Sequence, residues 1–367
     1  MNIVVVGGGR FRRSTAGALV KRGAGVSQLE QGAIPNPLAA SGDHHRIIRR
    51  AYRANTGYGR LMSEAYDAWG ELWGDLGRSH IDPRGFICVS LEDGDQADLY
   101  REGLEAGGYP FETFGPAEAA RRYAFLEPEL LRYVLFSRDG GALHCKRIAE
   151  DMAAWLRANG ANIYENSRVA SIDPDAGRVT LDTGETLSGD RVVVTAGAWV
   201  TKLFSRLVLD LTTYRTAVVY LDPPPELRQA WADAPVILKV GGPAQGYIVP
   251  PTGGGGLKFG TDRHKVQTSD ADWNRDPVEG EGEAIRDLFA PPIAQLARHR
   301  VAQVVTCAYT FTQDEHFFAS EEGRCLVVSP CSGHGYKFGA SVGRRVADAV
   351  ETGDTARLQT WLRAELP

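Results

Sequence analysis

The residues most suited to chemistry lie near the C-terminal end: Thr306-Cys307-Ala308-Tyr309-Thr310, then Asp314-Glu315-His316-Phe317, then Cys331-Ser332-Gly333-His334-Gly335-Tyr336-Lys337-Phe338. A thiol can bond covalently to an electrophile, and a lysine can hold an anion. Alternation over Val305–Phe311 predicts a strand with Cys307 and Tyr309 on one face. Gly333 and Gly335 free the backbone on both sides of His334, so the chain can approach a flat group closely. A helix starting just beyond would add its N-terminal dipole. Each segment also has a plainer account. A lone cysteine is usually inert and buried, and a glycine turn often carries a histidine facing solvent.

Three further segments bear on the same chemistry. The opening Asn2–Val6 run ends in Gly7-Gly8-Gly9-Arg10-Phe11-Arg12, and Glu30 closes a second apolar run. A dinucleotide fingerprint wants glycine at the first, third and sixth positions, with an acid after the second strand for the ribose hydroxyls. Gly7, Gly9 and Glu30 satisfy this; Arg12 stands where the last glycine belongs, and the alternative is a plain strand-turn-helix. Arg46-Ile47-Ile48-Arg49-Arg50-Ala51-Tyr52 places two guanidinium groups three residues apart, on one face if the segment is helical. Such forks suit carboxylates and stabilise a flavin anion, whereas a solvated basic face is the ordinary fate of such a run. In Gly256-Leu257-Lys258-Phe259-Gly260, alternation puts Lys258 opposite Leu257 and Phe259, either exposed or beneath a planar ring.

Together the damaged glycine loop, R-I-I-R-x-A-Y, G-L-K-x-G and the C-x-Y…D-E-H…S-G-H-G block resemble, in order and over nearly the full chain, the monomeric sarcosine oxidase family of flavin amine oxidases. The resemblance implies the fold of the D-amino acid oxidase superfamily. That fold is an α/β, Rossmann-like FAD-binding domain with an inserted α+β, largely antiparallel-sheet substrate domain. It implies FAD bonded through Cys307 and contacted by Gly7, Gly9, Glu30, Arg46, Val169, Gly197, Gly333, Gly335 and Lys337. Lys258 becomes the oxygen-activating cation, Arg49 and Lys337 the carboxylate grip, and Tyr247, Tyr309 and His334 the pocket wall. Asp262 stands where sarcosine-oxidising members have a histidine, so a cationic or hydrogen-bond-donating amine is expected there. The implied reaction is oxidation of an amino acid C–N bond, in a secondary N-methyl or cyclic amine. O2 is the acceptor, and an imine and H2O2 are the products. An oxidase of glycated amino acids, a flavin dehydrogenase, or a non-catalytic chain that binds FAD poorly because of Arg12 are the alternatives.

At 367 residues, two domains are expected. The expected FAD-binding domain comprises 1–80, 141–207 and 314–367, and the substrate domain 81–140 and 208–313. Helices are predicted over Ser14–Arg22, Arg46–Leu76, Gly141–Gly160 and 340–367. Strands are predicted over Asn2–Val6, Gly25–Glu30, Arg191–Val194, Tyr214–Leu221, Pro235–Val240, Gly246–Pro250, Gly256–Thr261 and Val301–Phe311, with a β-meander over Arg168–Leu187. A net charge of −5 gives no reason to expect nucleic acid or an anionic membrane as partner. No apolar run reaches ~20 residues and no signal peptide is evident. Five scattered cysteines without a CxxC argue against a disulfide framework or a metal site. A cytoplasmic monomer acting on a small amino acid is expected.

Overall fold

A computed structural model describes residues 1–7, 9–54 and 57–365, with backbone alone at Arg10; Gly8 of the glycine loop lies outside the described residues. Val4, Val5 and Val6 are almost wholly buried, as expected for a strand covered on both faces. The Asn2–Val6 strand pairs in parallel with Gly25–Leu29 and with Arg191–Val194. It forms the middle of a six-stranded sheet that Asn162–Tyr164 closes on one side and Cys325–Ser329 and Phe318–Glu322 on the other. The helix Arg10–Lys21 follows the first strand, and Gly7 turns the chain between them at φ 127°. A Cβ at Gly7 would stand 2.4 Å from the Thr195 carbonyl oxygen, so only glycine fits.

The second large sheet has eight strands, in the order Arg300–Phe311, Thr212–Asp222, Leu257–Thr268, Gly246–Val249, Val236–Val240, Phe86–Ser90, Tyr133–Ser137 and Glu112–Phe114. Every pairing in it is antiparallel except Val236–Val240 with Phe86–Ser90. The expected meander is a separate three-stranded sheet of Val169–Asp173, Arg178–Leu181 and Thr186–Ser188. The fold is thus a mainly parallel-sheet α/β unit, with an antiparallel edge strand at Phe318–Glu322, joined to a largely antiparallel sheet. Among the described residues, no helix is long and apolar enough to cross a membrane.

Two predicted helices are wrong at their N-terminal ends. Arg46 and Arg49 lie in the strand His45–Arg49, and the helix begins only at Gly57 and runs to Leu76. Gly140–His144 is the partner strand, and the predicted Gly141–Gly160 helix is confined to Cys145–Ala158. Packing decides both cases. A Cβ at Gly141 would stand 2.0 Å from the Asp82 carbonyl oxygen, so Gly141 marks where the third strand of this small sheet closes in. The first helix starts at Arg10, four residues before the predicted Ser14. The strands over 81–137 and at Phe318–Glu322 add to those that the sequence predicts.

Candidate active site

A cavity of about 1080 Å³ runs from the glycine turn to the face of the eight-stranded sheet. Gly9, Ser41 and Gly197 line one part, and Tyr247, Tyr309 and His334 another. Gly333 and Gly335 of the late loop line it; the turn is tight, since a Cβ at Gly335 would meet the Pro330 carbonyl oxygen at 1.8 Å and Gly333 adopts φ 72°.

Arg49 and Lys337 come together from opposite ends of the chain. The Arg49 guanidinium carbon is 4.4 Å from the centre of the Tyr52 ring, and the Lys337 Nζ is 5.6 Å from it. Arg49 donates to the Tyr100 hydroxyl at 3.2 Å, but its Nη1 is buried without a partner. Lys337 donates to the His334 carbonyl at 2.7 Å. Burial, then Arg49, hold the Lys337 ammonium well below the usual lysine range. An anion is the missing partner of this pair.

His334 stacks on Phe317 at 4.7 Å and its Nε2 lies 3.2 Å from the Glu315 carbonyl oxygen. A carbonyl only accepts, so Nε2 carries the proton, and Nδ1 accepts from the Tyr52 hydroxyl at 3.2 Å. Burial and Lys337 lower the His334 pKa to about 3, which keeps the ring neutral. Burial likewise raises the Tyr247 and Tyr309 hydroxyls, so the aromatic wall is uncharged.

Arg46 donates to Asp43 at 2.7 Å, and its Nη2 approaches the Cys307 sulfur at 3.9 Å. As strand residues an odd number apart, Arg46 and Arg49 lie on opposite faces of their strand rather than on one helical face. Lys258 is fully buried beneath this layer and does not line the cavity. It donates to Asp43 at 3.0 Å and to the His45 carbonyl at 2.5 Å, and Tyr220 also donates to Asp43. Burial would raise the Asp43 pKa, but Lys258 and Arg46 together bring it well below the carboxylate range. Cys307 is buried on the Arg300–Phe311 strand, while Tyr309 and Phe311 of the same strand reach the cavity. Asp43 and Tyr220 were missed from the sequence; the only local signal was Gly42-Asp43 ahead of the arginine motif.

Three expected contacts take a different form. Asp262 lines the cavity, but Lys239 pairs with it at 2.7 Å, so it does not stand as a lone acid. Val169 lies in the three-stranded sheet and does not line the cavity. Glu30 also stays out of the cavity, fully buried in an ion pair with Arg12 at 3.1 Å.

The profile of the family described as FAD dependent oxidoreductase (DAO) matches residues 2–349. The chain belongs to this family. It is 28% identical over 375 residues to monomeric sarcosine oxidase of Bacillus sp. (strain B-0618), covering 96% of this chain and 93% of that protein. It is 24% identical to N-methyl-L-tryptophan oxidase of Yersinia pestis (strain Pestoides F), with 94% of each chain covered. Among solved structures, the open form of NikD, an unusual amino acid oxidase essential for nikkomycin biosynthesis, superposes with a TM-score of 0.81 at 20% identity, over 97% of this chain and 96% of that one. The fructosamine oxidase Amadoriase II of Aspergillus fumigatus reaches the same TM-score at 18% identity, over 98% and 88%. At those identities the structures speak for the shared fold.

This family member is an FAD-dependent oxidoreductase, and residues along its cavity fit the cofactor. The Thr195 hydroxyl and the Arg49 Nη1 are buried polar atoms without partners beside the cavity. Gly333, Gly335 and Arg46 line the same cavity.

Proposed function

We propose that this chain oxidises the C–N bond of an amino acid carrying a secondary amine, N-methyl or cyclic, with O2 as acceptor and an imine and H2O2 as products. The unpaired cations Arg49 and Lys337 on the Tyr52 ring carry this reading. They offer a free α-carboxylate the Arg49 guanidinium and a lysine that takes up a proton as the anion binds, in a site walled by uncharged tyrosines. Bound FAD supplies the two-electron acceptor on which the reaction depends. The protein's task is to orient the substrate and to keep its surroundings neutral. Anchoring the carboxylate at Arg49 and Lys337 directs the amine toward Tyr247, Tyr309 and the Lys239–Asp262 pair, which lends an acceptor oxygen rather than net charge. His334, neutral and hydrogen-bonded on both nitrogens, fixes the Tyr52 hydroxyl. The names of the sarcosine and N-methyl-L-tryptophan oxidase relatives agree with a secondary amine.

In this reading Cys307 is the attachment point of FAD, Arg46 is its cationic neighbour, and Lys258 stabilises negative charge as oxygen is reduced. Gly7, Gly9, Gly197, Gly333 and Gly335 admit the cofactor to the backbone. The FAD-binding domain takes 1–80, 141–207 and 314–367, the substrate domain takes 81–140 and 208–313, and the protein works as a cytoplasmic monomer.

The test is peroxide release by the purified yellow protein. Sarcosine, N-methyl, cyclic and fructosyl amino acids are compared with their primary, decarboxylated and esterified counterparts. Oxidation confined to N-substituted free acids is expected. Equal oxidation of simple amines, or flavin absorption without peroxide from any amino acid, overturns the proposal.

A further inference from the structure

The two ends of the cavity differ in what they leave open. Beside Tyr52, Arg49 keeps a buried donor without a partner, and against Gly7 the Thr195 hydroxyl is also left open. At the end of the second strand the acid itself is already engaged, although the Arg12 Nε and the Ser14 and Thr15 hydroxyls nearby have no partner. Glu30 accepts from Arg12 at 3.1 Å, from the Gly32 amide at 3.1 Å and from the Asn36 side chain at 2.8 Å. Asn36 in turn accepts from the Leu38 amide at 2.9 Å. Arg12 also donates to the Leu29 carbonyl, and neither Arg12 nor Glu30 has any accessible surface.

The family fingerprint assigns the acid after the second strand to the adenosine ribose, and glycine to the position Arg12 occupies. Here that position carries a buried arginine, and its guanidinium is bonded to the acid. A carboxylate with no exposed surface cannot meet a ribose hydroxyl unless its existing partner withdraws. Withdrawal would leave Arg12, whose pKa burial already lowers to about 9, without its counter-ion in a buried place.

From membership of the FAD-dependent family and this geometry, we infer that Arg12 closes the ribose anchor. FAD is then held by its flavin and pyrophosphate, and Glu30 serves as a counter-ion inside the protein rather than a cofactor ligand. Arg12 is a specificity-determining residue for the cofactor: it lowers the advantage of FAD over FMN.

The experiment titrates full-length apoprotein with FAD and with FMN, following flavin fluorescence and reading the ratio of the two affinities in each preparation. A Cys307→Ala background removes the thiol that would make binding irreversible. Arg12→Gly should raise the FAD-to-FMN ratio about tenfold or more, the worth of a charged hydrogen bond. Glu30→Gln with Arg12 retained should leave the ratio within about threefold of the parent, less than one charged hydrogen bond. Either single change strands a buried charge, so Arg12→Gly/Glu30→Gln, which removes both, is the third arm and should also keep the parent ratio. A fall of about tenfold in the ratio for Glu30→Gln overturns the inference, because Glu30 would then be gripping FAD. An unchanged ratio in Arg12→Gly overturns it equally.

Discussion

Arg49 and Lys337 face the same Tyr52 ring, at 4.4 and 5.6 Å from its centre, and neither is paired with a carboxylate among the described residues. A half-buried guanidinium and a buried lysine sharing one aromatic ring and no acid form an anion site. Arg49→Lys keeps the charge but loses the planar fork. It should lower kcat/KM for a free amino acid by about 10- to 150-fold, corresponding to a lost charged hydrogen bond of ~1.5–3 kcal/mol. Activity on the methyl ester should change far less. Equal losses on acid and ester would place Arg49 at the cofactor instead.

The same pair makes binding depend on pH. Burial and Arg49 hold Lys337 well below its usual pKa, toward the neutral amine. A bound carboxylate favours the ammonium, so the pKa rises on binding and a proton is taken up. Affinity for a small carboxylate inhibitor should therefore fall as pH rises through the bound-state pKa. Isothermal titration in buffers of different ionisation enthalpy measures this, and Lys337→Met should abolish the uptake. Proton release, or no exchange in the parent protein, contradicts the expectation.

Lys258 lies behind the cavity wall, anchored on Asp43. Its field, rather than direct contact, is what it offers to oxygen chemistry. Lys258→Met should slow flavin reoxidation by O2 by ~10²–10³, the cost of losing one preorganised electrostatic partner. Flavin reduction by substrate should change much less. Stopped-flow traces of the two half-reactions decide; similar effects on both would make Lys258 a structural partner of Asp43.

The Cys307 sulfur lies 3.9 Å from the Arg46 guanidinium, which lines the cavity. Acid-denatured holoprotein should keep its yellow colour on the retained side of a spin filter. Cys307→Ala should release it. Colour passing into the filtrate from the parent protein would show that the flavin is held without a bond.

Much of the site was legible because its motifs are local. The strand carrying Cys307 and Tyr309, the glycines around His334 and the strand carrying Lys258 follow from alternation and glycine placement. The arginine motif was assigned to a helix because Leu61, Ala65, Trp69 and Leu72 continue a helical spacing that truly begins only at Gly57. What makes His45–Arg49 a strand is the Gly140–His144 partner, far along the chain and invisible to a local pattern. Asp43 shows the same limit: its partners Tyr220 and Lys258 lie 177 and 215 residues away. Arg12 was legible as a misfit, but the sequence could not reveal that its guanidinium would find Glu30.

The strand Thr212–Asp222 lies between the strands that bear Lys258 and Cys307. Its Tyr220 is opposite Lys258 on one side, and its Thr216 is opposite Cys307 on the other. It therefore works as a ruler, setting the two positions four residues apart along one backbone, roughly 13 Å at the usual strand rise. Sliding it by one residue would turn its cavity-facing side chains away and misplace both partners together. On this sheet the cavity wall can be changed by exchanging side chains such as Tyr214, Thr216 and Val218, but not by moving the strand. The span of the site itself is inherited as a fixed length.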